Sequence, residues 1–222
     1  MILNPELLQF LKEIKDNNNR EWFSANKERY LVHQSFMKEF VGTIQQELEK
    51  HDLIEKAKLY RIYRDVRFSK DKTPYKTYFG GWFKRATKKR RGGYYFHIEP
   101  NNTFISGGFW RPNSADLKRI RQEFAASDTE IRKIIADKDF QTQFGELRGA
   151  SVKTSPRGFD KTHPSLDLIG KKQFIVQRSF TDDALLQANF IEEIVATFLS
   201  MRPFFDYMSD ILTTDGNGLP IE

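Results

Sequence analysis

The chain has no cysteine, which excludes disulfides and thiolate chemistry and leaves the redox compartment open. It has no apolar run approaching the ~18 residues a membrane span requires, so a membrane is not among the expected partners. Its start, "MILNPELLQFLKEIKDNNN", lacks the basic segment, apolar block and small-residue cleavage site of a secretory signal. Cytoplasmic residence is the default expectation. Also missing are a Walker loop, a G-x-S-x-G elbow, an H-E-x-x-H pair and a dinucleotide fingerprint, so no familiar catalytic motif announces a reaction.

What is present is a globular composition, 39% hydrophobic and 30% charged over 222 residues, enough for a sizeable core. Twenty phenylalanines can supply that core without many branched aliphatics. Charge is distributed unevenly. Lys58 to Arg91 holds 13 Lys/Arg against Asp65 and Asp71, a local +11, whereas Thr181 to the end holds eight acids against Arg202, or −7. Two readings compete: the basic middle and acidic end pair within the fold, or the basic part is a footprint for phosphates.

Periodicity divides the chain into a helical segment over 1–57, a strand-rich one over 58–112, a helical one with one further strand over 113–212, and a loose tail over 213–222. Asn4 and Pro5 cap and open a first helix whose stripe is Leu7, Leu8, Phe10, Leu11 and Ile14. A second helix is expected from Arg20 through Tyr30. A third, carrying Phe36, Phe40, Ile44 and Leu48, should reach about His51. His33 and His51 look incidental there. In "GYYFHIEPNNTFISGGFW", a turn at Asn101-Asn102 predicts a hairpin with His97 opposite Ser106. Alternation gives one core face (Tyr94, Phe96, Ile98, Thr103, Ile105, Gly107, Phe109) and one mixed face (Tyr95, His97, Glu99, Phe104, Ser106).

Beyond it, Asn113 or Ser114 caps a helix with Leu117, Ile120 and Phe124 inward, and Asp128–Asp137 gives a short one. A helical turn and a strand near Lys172–Arg178 follow, and Thr181 starts a last helix that Pro203 interrupts. The expected architecture is a single α+β domain over 1–222, an antiparallel sheet flanked by helices.

The chemistry-bearing pattern is "RIYRDVRFSKDKTPYK". Read as a strand, Arg61–Phe68 places Arg61, Tyr63, Asp65 and Arg67 on one face and Arg64 anomalously on the apolar one. Guanidinium forks suit phosphates and carboxylates. Arg61, Arg64, Arg67, Lys72 and Tyr75 are therefore candidate ligand-binding residues, with Asp65 orienting the arginines. The competing reading is internal salt bridges to acids. His97 and Glu99, on one face, are candidates for proton transfer. With His163 and Asp160 they could bind a metal, but the spacing is that of no recognised metal site and none is expected. "KRATKKRR" reads as a solvated hairpin tip. The alternative is phosphate contact through Lys84, Arg85, Lys88, Lys89, Arg90 and Arg91. The "GG" pairs at 80–81, 92–93 and 107–108 mark bulges or close packing.

"RIYRDVRFSKDKTPY" matches R-x-x-R-D-x-R-F-x-x-x-K-x-x-Y, and here the chain resembles the bacterial and fungal family catalogued as domain of unknown function 2461. "NNNREWFSANKERY", "GGYYFHIEP", "SPRGFDKTHP" and "LIGKKQFIVQRSFTD" extend the resemblance over nearly the whole chain. It implies no activity, but it marks Arg61, Arg64, Asp65, Arg67, Phe68, Lys72 and Tyr75 as the family's site. Two functions are therefore expected to compete. The first is an anion-binding protein whose residue types suit phosphate-ester hydrolysis or transfer, with an anionic small molecule or phosphate as partner. The second is a non-catalytic nucleic-acid binder using loop 84–91 with Trp82 or Tyr78.

Overall fold

The Asn4 side chain accepts from Glu6 N and Pro5 occupies the first turn, so α1 (Pro5–Asp16) begins where its orphan amides are satisfied. In the computed structural model, which describes residues 1–215 and 219–220, α2 (Arg20–Ala25) and α3 (Lys27–Glu49) follow. The break falls at Asn26, whose N–H caps α2 and whose carbonyl accepts from Tyr30 N. Tyr30 therefore belongs to α3, not to α2 as expected. The strands are β1 (Ile54–Leu59), β2 (Phe79–Arg85), β3 (Gly93–Ile98), β4 (Thr103–Phe109) and β5 (Phe174–Phe180). They form one antiparallel sheet in the order β1-β2-β3-β4-β5. Helices α4 (Ser114–Ala126), α5 (Thr129–Ala136), α6 (Lys138–Phe144) and α7 (Leu166–Ile169) lie between β4 and β5. Helices α8 (Asp182–Leu185), α9 (Phe190–Ser200) and α10 (Arg202–Thr213) close the chain. The fold is α+β with helices packed against the sheet, as the patterning predicts.

Contacts divide the chain into two compact units. The first comprises Met1–Phe83, Tyr95–Ile105 and Ser179–Ala196; the second comprises Lys84–Tyr94, Ser106–Arg178 and Thr197–Glu222. The first unit's core is aromatic: the Phe40 ring meets Phe96 at 6.0 Å and Phe190 at 6.4 Å. Its His33 is buried with its ring 5.0 Å from Phe10, a packing role. In the second unit, Tyr94 packs on Phe198 and Phe205, and Phe124 on Phe174.

Several boundaries differ from expectation for identifiable reasons. β1 starts inside the segment read as helical, because Ile54–Leu59 is a half-exposed strand with no apolar alternation to reveal it. Arg61–Phe68 is not a strand. Asp65 Oδ1 accepts from Arg67 N and Asp71 Oδ1 from Thr73 N, and such local side-chain bonds compete with a ladder. Only an isolated antiparallel bridge, Tyr63 to Tyr75, closes this loop at its base. The hairpin turn lies one residue early: Glu99 O accepts from Asn102 N across Pro100–Asn101, and Asn101 takes φ 60°. The faces nevertheless hold, with Tyr94, Phe96, Ile98, Thr103, Ile105 and Phe109 all buried. Helix α6 was not expected. The final helix is three pieces, with Pro203 in the first turn of α10. The described part of the 213–222 tail is held, since Thr214 bridges Pro220; residues 216–218 and 221–222 lie outside the described residues.

Candidate functional site

The loop 61–76 is anchored before it is charged. Asn18, between α1 and α2, clamps Tyr75 in both directions: its Nδ2 donates to Tyr75 O at 3.0 Å and its Oδ1 accepts from Tyr75 N at 3.1 Å. The Tyr75 ring is buried and stacks on Phe23 at 3.9 Å. It is thus a packing residue of the loop's base, with its ring against protein and not against solvent.

The acids of the loop are taken by its own arginines. Arg67 grips Asp65 with two parallel bonds, Nε to Oδ1 at 3.0 Å and Nη2 to Oδ2 at 2.7 Å. This grip, with the Arg67 amide, lowers the Asp65 carboxyl to about 2. Arg64 donates to Asp71 Oδ2 at 2.5 Å and also bonds Thr73 Oγ1. The Thr73 amide first, then Arg64, lowers Asp71 to about 2. These pairs are exposed and contribute little stability, but they set the shape of the loop. Lys72 Nζ donates back to Val66 O at 2.9 Å.

Three cations are left over: Lys70, which is exposed, Arg61 and Lys76. Arg61 is exposed, and among the described residues no carboxylate or other acceptor meets its guanidinium. Lys76 Nζ donates to Arg61 O at 2.7 Å and lies 5.2 Å from the Tyr60 ring centre and 5.9 Å from that of Tyr78. Burial, then the Arg61 charge, pushes the Lys76 ammonium below its ordinary value. Among the described residues no acid pairs with Lys76 either. Sequence reasoning placed Lys76 in the pattern but not in the site; its signal was a lysine between two tyrosines.

On the mixed face of β3 a second arrangement forms. Tyr95 Oη lies 3.1 Å from His97 Nδ1, and Glu99 Oε2 lies 3.1 Å from His97 Nε2. Glu99 is steadied by Thr77 Oγ1 donating at 2.5 Å and Asn102 Nδ2 at 2.7 Å. Burial works to raise the Glu99 carboxyl, but these bonds outweigh it and leave it below its ordinary value. An ionised Glu99 can only accept, so His97 Nε2 carries the proton and Nδ1 accepts from the Tyr95 hydroxyl. The imidazole is sandwiched between Tyr78 at 4.0 Å and Phe104 at 4.6 Å. Burial depresses its pKa below the ordinary 6.5 and keeps it neutral at pH 7. The Tyr95 phenol is pushed up by burial. Ser106, expected opposite His97, donates to Val176 O at 2.8 Å.

A pH dependence follows. The unfolded chain binds a proton on His97 more readily than the folded one, so stability falls as pH drops below about 6.5. Glu99 acts in the same direction lower down, its contribution being lost as pH falls through its folded pKa. His33, also depressed by burial, adds to the first phase. Urea melts between pH 7 and pH 5 should show declining stability, and His97→Gln should reduce that slope without abolishing it.

The other candidates separate. His163 Nδ1 accepts from Ser165 N at 3.1 Å, and Asp160 bonds Thr162, so both shape a turn of the second unit. Among the described residues no three His, Asp or Glu side chains converge to hold a metal. The basic run is a correction to the expected tip. Arg85 is 1% exposed, ion-paired with Asp206 and bonded to Arg91 O at 3.1 Å; Arg91 pairs with Asp116. Neither guanidinium is a free surface charge: Arg85 is buried and needs its partner, and Arg91 is half-buried and paired. Lys88 and Lys89 remain exposed.

Fold and site define an α+β protein that carries a self-braced cationic loop and a Tyr–His–Glu chain on one sheet face. The chain belongs to the family of conserved hypothetical proteins DUF2461, whose model matches residues 6–207. No curated protein and no solved structure matches it. Among the described residues no helix is long and apolar enough to cross a membrane.

Proposed function

We propose that the first unit binds a phosphate- or carboxylate-bearing ligand at Arg61 and Lys76. One observation carries this reading: Lys76, partly desolvated, bonds the Arg61 carbonyl and feels the Arg61 charge, while among the described residues no carboxylate bonds either cation and Asp65, which Arg61 also influences, is held by Arg67. Like charges repel in a desolvated site, and an anion relieves that repulsion. Arg64, Arg67, Asp65 and Lys72 shape the loop that presents Arg61, and Tyr75 fixes its base.

The neighbouring relay suits phosphate-ester hydrolysis or transfer. Both His97 nitrogens are engaged, so a proton enters through Tyr95: its oxygen accepts one from the attacking water or alcohol while its own moves to Nδ1. Glu99 stabilises the imidazolium that results. As the P–O bond to the leaving group breaks, the proton returns along the same route to the departing alkoxide.

Titration calorimetry with inorganic phosphate tests the binding. Arg61→Ala and Lys76→Ala should each weaken it about 10- to 100-fold, the worth of a charge-assisted bond, and Lys88→Ala should leave it unchanged. His97→Gln should keep phosphate binding and slow turnover of an aryl phosphate about 100-fold. No saturable phosphate binding, or binding indifferent to both substitutions, would overturn the reading.

A further inference from the structure

The loop presents more than charge. Tyr60 is 37% exposed, Tyr63 43% and Phe68 96%, so three aromatic rings reach solvent within nine positions of one segment. The apolar surface of Phe68 stands at the tip with no packing beyond Arg67, whose guanidinium lies 5.9 Å from the ring centre. One face is thus backed by a cation and the ring has an open side. Arg61 lies between Tyr60 and Tyr63 in sequence, and Lys70 is exposed two residues past Phe68. Both acids of the loop are already bonded to its own groups, so its net positive charge faces outward.

Aromatic faces interleaved with cations are the means by which proteins hold single-stranded nucleic acid, bases stacking on rings while phosphates meet the charges. We infer that the ligand of this site is a nucleotide unit of a single-stranded nucleic acid, with phosphate at Arg61 and Lys76 and bases on Tyr60, Tyr63 and Phe68. The inference rests on the anion reading above and names its ligand class. A strand fits better than a free nucleotide because three rings offer more stacking surface than one base can cover. It fits better than a lipid surface because Phe68 stands between Arg67 and Ser69, whereas a membrane wedge needs apolar neighbours. The run Lys84–Arg91, where sequence placed nucleic-acid contact, loses Arg85 and Arg91 to internal pairs.

Fluorescence anisotropy with labelled oligothymidylate and oligouridylate of about twelve nucleotides, a length suited to such sites, tests this on the full chain. Binding should weaken steeply with salt. Phe68→Ala and Tyr60→Ala should each lower affinity about 10-fold, as loss of one stacked base does, and Phe68→Ala, which touches neither Arg61 nor Lys76, should leave inorganic phosphate binding unchanged. Lys88→Ala/Lys89→Ala should match wild type. Circular dichroism on Phe68→Ala should show an intact fold, since the ring packs against no core. If phosphate itself fails to bind, the anion reading falls and this inference with it. If phosphate binds but oligonucleotides bind no tighter, or Phe68→Ala changes nothing, the inference alone falls. Adenosine monophosphate binding as tightly as the strand would overturn the strand in favour of a free nucleotide. Phe68-dependent binding to phosphatidylserine vesicles, with none to oligonucleotides, would overturn it in favour of a lipid surface.

Discussion

Gly108→Ala is expected to destabilise the protein by about 4 kcal/mol or to prevent folding, an effect in the exceptional range for one substitution. Gly108 holds φ +135°, and a Cβ there would stand 2.1 Å from Phe174 O and 3.0 Å from Ile175 Cα. These are backbone atoms of β5, the strand paired with β4, so no rotamer change can make room. The strands would have to part, breaking the β4–β5 ladder and the bond from Ser106 Oγ to Val176 O. Gly42, mid-way along α3, is the internal control: nothing lies within 4 Å of its Cβ position. Alanine there should stabilise by about 0.5–1 kcal/mol through helix propensity. Urea melts of the two variants measure both. A Gly108→Ala protein with a wild-type midpoint would show that the close approach of β4 and β5 is wrong.

Arg85→Ala carries the second large effect, a loss of about 3 kcal/mol. The side chain is among the largest that are fully buried, lies over the Phe205 ring at 5.6 Å, and satisfies both Asp206 and the Arg91 carbonyl. Truncation removes the packing and leaves two acceptors with less to accept from. Arg85→Met, which keeps most of the volume without the charge, should recover part of the loss. Lys88→Ala and Lys89→Ala, a few residues away and exposed, should stay within about 0.5 kcal/mol of wild type. Thermal or urea melts separate the cases. Equal effects at Arg85 and Lys88 would contradict the buried ion pair.

This contrast shows what could be read from the residues alone. Helix starts were legible where a cap and an apolar stripe coincide, as at Asn4-Pro5 and Asn113. The two faces of the β3–β4 hairpin were legible because strand alternation survives a shift in the turn. The attraction of the basic middle for the acidic end was legible as charge, and Arg85–Asp206 realises it; nothing local told Arg85 from Lys84. The loop was misread as a strand because Arg61–Phe68 alternates like one. Its exposure does alternate from Arg61 to Arg67, but Asp65 and Asp71 turn its backbone upon itself. Phe68, which the strand reading puts with Ile62, Arg64 and Val66 on the apolar face, ends almost wholly in solvent. His97 and Glu99 were placed on one surface by alternation, as observed. The role of Tyr95 as partner of the second ring nitrogen needed the geometry.

Asn18 gives the loop a property that its charges do not. A segment fastened at Tyr75 by two opposed hydrogen bonds and a stacked ring, and internally braced by Asp65 and Asp71, has already lost most of its freedom. Whatever meets Arg61 and Lys76 therefore need not order the backbone that presents them, and more of each contact is expressed as affinity. The bracing also separates two roles within one short stretch: the paired side chains hold a scaffold, and those left outward are free to change partner without changing the fold.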